Sequence, residues 1–551
     1  MRTPSRGTTA LVAVAALSLS LLPGLTGPAS ARERSAAPVP ASAGVDAPVP
    51  TLDWAPCYSD APFDCTTATV PLDYDDPTGA TTELDLLRVS ASDPGNRIGT
   101  LFVNPGGPGG ASRDFATYFG ELVPDVVSQR FDIVGIDPRG VGPSAPMRCR
   151  TDTRPGSYPK AYFPRTEGEV KAQLTYDRWV RRACRTDPSP IVGHMTTADT
   201  ARDMDLVRQA LGESQISYYG VSYGTQLGTT YAAMFPGNIR AMILDGVLDP
   251  VAWTTGADGT GTTHPFSERL GSGYGAWQGL VNAFAECDRV GRARCPIAGD
   301  ASGVWYDIIK RLRRGPFKHA GITTTYSDVV GSALGYLYDQ GSIRYLMRYL
   351  ERLHRQMFGD GSPRLVPGAF DPRAVARRVT DDRGLPGPYG AGDGRATMTS
   401  GSGWGRISDP FAGVACADSD NPVDERTWVD AARRADRYSP WFGAAWTWAS
   451  GVCAGWPAST KEDRFTGPFA VTTSAPVLVV GNTFDPATPL HGARAVNRML
   501  DGSRLLVLDG WGHGAIDTGP CINQAYAAYL VDGTLPLAGT VCKPRQQMFP
   551  Q

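Results

Sequence analysis

The 551-residue chain lacks any excess of charge of one sign: 53 Lys and Arg against 55 Asp and Glu leave a net charge of −2. That balance gives no electrostatic case for nucleic acid or an anionic membrane surface as partner. None of its ten cysteines forms a C-x-x-C pair, so the usual spacing of zinc sites and redox dithiols is missing and no metal or cofactor is implied. A glycine-rich stretch near residue 106 is not followed by Gly-Lys-Ser/Thr, which argues against a phosphate cradle. Histidine is scarce. Only His194, His264, His319, His354, His491 and His513 are available for imidazole chemistry.

What is present begins with a segmented N-terminus. Met1 to Ala31 carries Arg2 and Arg6, then the apolar run Ala10 to Leu22, then Ala29-Ser30-Ala31. This is the order of a secretory signal peptide, with an apolar part too short for an ordinary membrane span. No adjacent arginine pair precedes the run, which favours general secretion. Residues 32–50, rich in Ala, Pro and Ser, read as a disordered leader or pro-segment. An even number of cysteines fits an oxidising compartment, and they read as five sequential neighbours closing local loops. The expectation is a secreted, extracellular protein with no membrane association once the signal is removed.

Ile216 to Val221 is a short apolar run entering Gly220-Val221-Ser222-Tyr223-Gly224. This G-x-S-x-G pattern marks a sharp strand-to-helix turn that lifts a serine hydroxyl above a sheet edge. Glycines two residues either side of Ser222 let strand and helix pass closely. Upstream, Leu84–Val89, Thr100–Val103 and Phe131–Ile136 read as strands, and Asn104 to Gly110 is a glycine run able to aim N–H groups at a substrate. Arg139, after the third of these strands, reads as a structural arginine locking its loop. Thr196 to Leu211 has helical apolar spacing behind a Thr196/Asp199 capping box. Thr225–Phe235 is the helix after Ser222 and Ile239–Leu244 the next strand, ending at Asp245 and Asp249. Strand and helix alternate, as a doubly wound, mostly parallel sheet requires.

For about 220 residues, a span of ordinary domain size, the rhythm becomes helical, as at Val304–Leu312 and Ile343–Leu353. Here a Gly/Pro-rich stretch occurs at Asp381–Gly405, and nine of the twelve tryptophans fall in this part. The parallel pattern returns at Ala475–Val480, ending in Asp485-Pro486, and at Arg504–Leu508, leading into Gly512-His513-Gly514. Cys521–Leu530 closes the chain as a helix. The organisation read from this is a core over 51–250, a mainly helical cap over 251–470 inserted before the last core strands, and the rest of the core over 471–551.

A serine hydroxyl needs a base within reach and a third group to fix that base's tautomer. Of the six histidines only His513 follows a core strand in a glycine-flanked turn near the C-terminus, in the order Ser, Asp, His of α/β-hydrolases. Asp485 is the orienting acid expected, with Asp245 and Asp249 as rivals. Backbone N–H groups of Tyr223 and Gly107 are the expected oxyanion donors.

With these residues in view, the chain resembles the secreted bacterial tripeptidyl aminopeptidases, relatives of the proline iminopeptidases within the α/β-hydrolases. The stretches that carry the resemblance are NPGGPGGAS at Asn104, FDIVGIDPRGVGPS at Phe131, YYGVSYGT at Tyr218, VLVVGNTFDPATP at Val477 and GWGHG at Gly510. The resemblance implies an α/β-hydrolase fold with a cap, and a serine peptidase that removes short peptides, typically tripeptides, from free N-termini, with Ser222, Asp485 and His513 as its triad. A protonated amine calls for a facing carboxylate, and Val414-Ala415-Cys416-Ala417-Asp418 resembles a segment at this place in family members, making Asp418 the candidate. A carboxylesterase or lipase with the same triad is the alternative within enzymes. A non-catalytic hydrolase-like binding protein is the alternative outside them.

Overall fold

In the computed structural model, which describes residues 44–58, 62–359, 397–398 and 405–551, one ten-stranded sheet organises the chain. The expected signal peptide, most of the leader and most of the Asp381–Gly405 stretch lie outside the described residues. The strands are β1 (Ala55–Cys57), β2 (Phe63–Pro71), β3 (Thr81–Val89), β4 (Gly99–Asn104), β5 (Phe131–Ile136), β6 (Ile216–Val221), β7 (Ile239–Asp245), β8 (Leu478–Phe484), β9 (Arg504–Trp511) and β10 (Val541–Cys542). Their spatial order is β1-β2-β3-β5-β4-β6-β7-β8-β9-β10. β1, β2 and β3 join antiparallel, with β3 against β5, and from β5 to β10 every pairing is parallel. The chain thus runs outward from β4 to β5 and returns past β4 to β6. At such a reversal the loops leaving the carboxyl ends of neighbouring strands part and leave a crevice.

The central strands are apolar on both faces, so their side chains sort by parity. Leu101, Val103, Tyr219, Val221, Ile243, Leu478 and Val480 pack under Phe115 and Phe119 of α1 (Ser112–Leu122) and beside Tyr526 and Tyr529 of the C-terminal helix. Phe102, Tyr218, Met242, Leu244 and Val479 face the other way, against α2 (Thr197–Ala210) and α3 (Tyr223–Met234). Several elements differ from the sequence reading; β1, β10, α1 and the helix Leu490–Met499, for instance, were not expected. β3 begins three residues earlier than expected and lies antiparallel. β2 was not recognised, because its outward positions Thr67 and Thr69 dilute the apolar signal while Ala68 and Val70 are buried.

Between β7 and β8 the described chain is largely helical: α4 (Ser272–Val290), α5 (Ala301–Leu312), α6 (Tyr326–Leu337), α7 (Ile343–Phe358) and α8 (Pro410–Asp418) pack around Leu280, Trp305, Leu334, Leu350 and Trp428. Beyond β8, α9 (Leu490–Met499) and α10 (Pro520–Asp532) return to the sheet. Disulfides join Cys57–Cys65, Cys149–Cys184, Cys287–Cys295, Cys416–Cys453 and Cys521–Cys542, the five sequential pairs. No helix among the described residues is long and apolar enough to cross a membrane. The disulfides are consistent with an extracellular protein.

Arg139 is structural but does not lock its own loop. Fully buried, its guanidinium forks onto Asp203 of α2 at 2.8 and 2.6 Å and donates to the carbonyls of Pro71, Leu72 and His194. It therefore joins the end of β2 to α2. The Thr196 cap also differs in detail: its Oγ1 accepts from Asp199 N, while its hydroxyl donates to the Asp199 carboxylate. Removing one partner of a buried ion pair strands the other charge. Asp203→Ala is therefore expected to destabilise the protein by about 3–5 kcal/mol in a denaturant titration.

Candidate active site

Ser222 stands between β6 and α3 with φ 60° and ψ −125°, a conformation that costs a non-glycine residue energy and persists only when the surroundings enforce it. The enforcement is visible. Its N–H donates to Asp245 O at 3.0 Å, and its carbonyl accepts from Thr225 N and Thr225 Oγ1. A Cβ on Gly220 would lie 2.4 Å from Gly224 O, so strand and helix can cross here only without a side chain. The loop after β4 closes on the same turn. Gly106, at φ +88°, leaves no room for a Cβ between Val221 O and the backbone N of Tyr223, and its own N–H is held by Asn104 Oδ1 at 2.9 Å.

His513 and Asp485 lie at the ends of β9 and β8 and are 2% and 1% exposed. The imidazole Nδ1 is 3.0 Å from each Asp485 oxygen. Asp485 is itself fixed: Oδ1 accepts from Ala487 N and Thr488 N, both at 2.8 Å, and Oδ2 from Thr488 Oγ1 at 2.9 Å. Thr488 Oγ1 also lies 3.1 Å from His513 Nδ1. This threonine was missed in the sequence, although its place three residues after an Asp-Pro at a strand end is the signal that marks it. The loop bearing His513 is pinned on both sides. Asn482 Nδ2 donates to the carbonyls of Gly512 and Gly514, and His513 N donates to Tyr338 O, whose ring meets the imidazole edge-on.

Of the rival acids, Asp249 caps the short helix Pro250–Trp253. Asp245 is buried and accepts from Tyr219 Oη, Tyr526 Oη, Ala515 N and Ile516 N. Burial raises its carboxyl pKa, and the Ala515 N–H and the two phenols counter that shift. It holds the chain just after His513, and no His513 Nδ1 bond reaches it.

One pocket gathers Gly107, Ser222, Thr488, Tyr338 and an apolar wall that includes Trp253, Phe266, Phe411 and Trp446. Two of the tryptophans of the helical part thus reach this pocket, whereas Trp305 and Trp428 build its core. Tyr223, at the start of α3, carries an N–H with no intrahelical partner. Ser222 and His513 are not hydrogen-bonded to each other in this structure. His513 Cε1 and Gly514 N border Gly246, and Gly514 packs on Val221, the residue before the serine. Resting hydrogen bonds of this kind are often long and tighten in the substrate complex.

Asp418 is not among the residues lining the pocket. It is 3% exposed at the end of α8, with Oδ1 accepting from Thr197 N at 2.8 Å and Oδ2 from Thr197 Oγ1 at 2.5 Å and Trp253 Nε1 at 2.9 Å. Thr197 Oγ1 lies 2.6 Å from Tyr223 Oη. Asp418 therefore sits behind the wall, clamping Trp253 and, through Thr197, the side chain next to Ser222. Among the described residues, those lining the pocket include no carboxylate. Glu268, beside the lining residue Ser267, is held in a fork by Arg434 at 3.0 and 2.8 Å.

Comparison with known proteins places these features in context. Residues 99–268 match the family model described as alpha/beta hydrolase fold, and residues 439–542 the one described as TAP-like protein. The serine protease Hip1 of Mycobacterium tuberculosis (strain ATCC 25618 / H37Rv) is 30% identical over 520 residues, covering 89% of this chain and 91% of that protein. A tripeptidyl aminopeptidase of Streptomyces lividans is 30% identical over 513 residues, 90% of this chain and 87% of its own. Carboxylesterase B of the same M. tuberculosis strain is 32% identical over 495 residues, with 87% and 86% covered.

Burial raises the Asp418 carboxyl from 3.8 to about 6, against the bonds from Thr197 and Trp253. Because the folded-state value lies above the unfolded one, folding takes up a proton between those two values, and the contribution of this group to stability falls as pH rises through about 6. Asp418→Asn removes that titration. Denaturant titrations at a series of pH values are expected to show the stability of wild type relative to Asp418→Asn falling by up to about 3 kcal/mol between pH 4 and pH 7.

Proposed function

This chain belongs to the tripeptidyl aminopeptidase-like family of α/β-hydrolases, and on that premise we propose that it is an exported serine exopeptidase releasing short peptides, tripeptides foremost, from free N-termini. Ser222 attacks the scissile carbonyl while His513 takes its proton. Asp485, held in place by Thr488 and two backbone N–H groups, keeps the imidazole in one tautomer and stabilises the imidazolium that forms. The backbone N–H groups of Tyr223 and Gly107 receive the developing oxyanion. The start of α3 adds the favourable end of its dipole. His513 then protonates the leaving amine, and water, activated by the same imidazole, hydrolyses the acyl-enzyme. The hydrogen bond between Ser222 and His513 forms in the substrate complex.

The observation that carries this reading is what stands at four strand ends: Ser222 in an enforced strained turn, a buried His513–Asp485 pair, and the β4 loop pressed against the serine turn. A second reading, an esterase acting through the same residues, draws on the apolar wall and on the lack of a lining carboxylate to meet a protonated amine.

Turnover of a tripeptide anilide with a free amine, its N-acetylated form and a simple ester separates the two. The exopeptidase reading expects the free-amine substrate to exceed the acetylated one in kcat/KM by about two orders of magnitude or more, the discrimination of a site built to hydrogen-bond a substrate group. Equal rates on the two peptides with faster ester cleavage would establish the esterase. Ser222→Ala is expected to lower kcat by roughly 10⁵-fold or more on any of them, with the far-UV circular dichroism and thermal midpoint of wild type. Retained turnover in that variant contradicts both readings.

A further inference from the structure

Away from the pocket, three segments distant in sequence bring ligand-type atoms together. Asp73 lies in the turn between β2 and β3, His194 just ahead of α2, and Asp463 on the segment returning to β8. One carboxylate oxygen of each aspartate and an imidazole nitrogen lie within 4.8 Å of one another. The Asp463 side chain is only 10% exposed, and its Oδ2 stands 3.7 Å from His194 Nδ1, beyond hydrogen-bond distance. His194 Nδ1 is buried without a hydrogen-bond partner. Asp73 Oδ1 receives the N–H of Asp75, which leaves Oδ2 for another contact.

Two carboxylates and an imidazole this close call for a positive charge. Among the described residues, the cations beside these segments are engaged elsewhere: Arg139 with Asp203, Arg202 with Asp199 at 2.9 Å, Lys461 with Ser419 O at 2.6 Å and Arg464 with Asp420 at 2.7 Å. We propose that Asp73, His194 and Asp463 bind one divalent cation of the zinc class, one donor atom each, with solvent completing the set. One imidazole nitrogen and two carboxylate oxygens suit that class, whereas calcium asks for six or more oxygens. The ion ties the β2–β3 turn and the approach to α2 to the returning segment. Its role is stability rather than chemistry, because none of Asp73, His194 and Asp463 lines the pocket that holds Ser222. No local motif announces it, since the three ligands share no local spacing.

The test uses the full chain after chelator treatment and dialysis, titrated with zinc chloride by calorimetry and followed by thermal unfolding, alongside His194→Asn and Asp463→Asn. Wild type is expected to bind one equivalent and to gain about 3 °C at zinc a hundredfold above its Kd. Each variant is expected to lose that equivalent and that gain, while keeping wild-type circular dichroism and peptide turnover in chelator. No binding heat in wild type, or the same equivalent and the same gain in both variants, overturns the proposal. So does a wild-type midpoint that ignores zinc but falls as pH rises and loses that dependence in His194→Asn, which assigns the cluster to a protonated histidine ion pair.

Discussion

Asp245 at the end of β7 is the joint on which the site depends. Its backbone carbonyl holds Ser222 N, and its buried carboxylate holds the N–H groups of Ala515 and Ile516 just beyond His513. The two phenols that complete its shell, Tyr219 and Tyr526, come from β6 and α10. One residue therefore couples the strained serine turn to the loop carrying the imidazole, and a shift of either is resisted by bonds that have no water to replace them. Asn482 acts from the neighbouring strand, holding the carbonyls on both sides of His513. With Thr488 fixing Asp485, these groups supply the rigid support that a precise proton transfer needs.

The helical insertion acts on this frame from above. Tyr338, in the connection after α6, accepts the His513 N–H and packs against its ring. Trp511 Nε1 reaches Gly279 O of α4, so the strand bearing the histidine loop is tied to the insertion as well. From the other side, α8 reaches the serine turn through Asp418, Thr197 and Tyr223. One part of the pocket wall, Trp253, is thus set by a buried polar bond as well as by its aromatic neighbours.

Much of this frame was legible because its constraints are local. A serine between glycines two residues away, a glycine run after a short strand and a glycine-flanked histidine after another each describe a turn whose backbone admits few alternatives, and each stands at a strand end in the structure. Asp485 was legible for the same reason, by its Asp-Pro at the end of β8. Partners supplied by distant segments were not. Nothing near Asp418 announces that Thr197 and Trp253 occupy its oxygens, so a buried clamp read as a cleft-facing carboxylate. Asp245 was weighed only as a rival acid, since the backbone groups it holds lie in another part of the chain. β2 escaped for a different reason: threonine on its solvent face looks like loop composition.

The measurement that reaches the central proposal most directly is site-resolved labelling by a fluorophosphonate, read by mass spectrometry of digests from wild type and His513→Ala. The expected result is one label per chain on the peptide containing Ser222, forming about three orders of magnitude more slowly without the imidazole. A label on another serine, or a Ser222 labelling rate unchanged by the loss of His513, would contradict the proposed site.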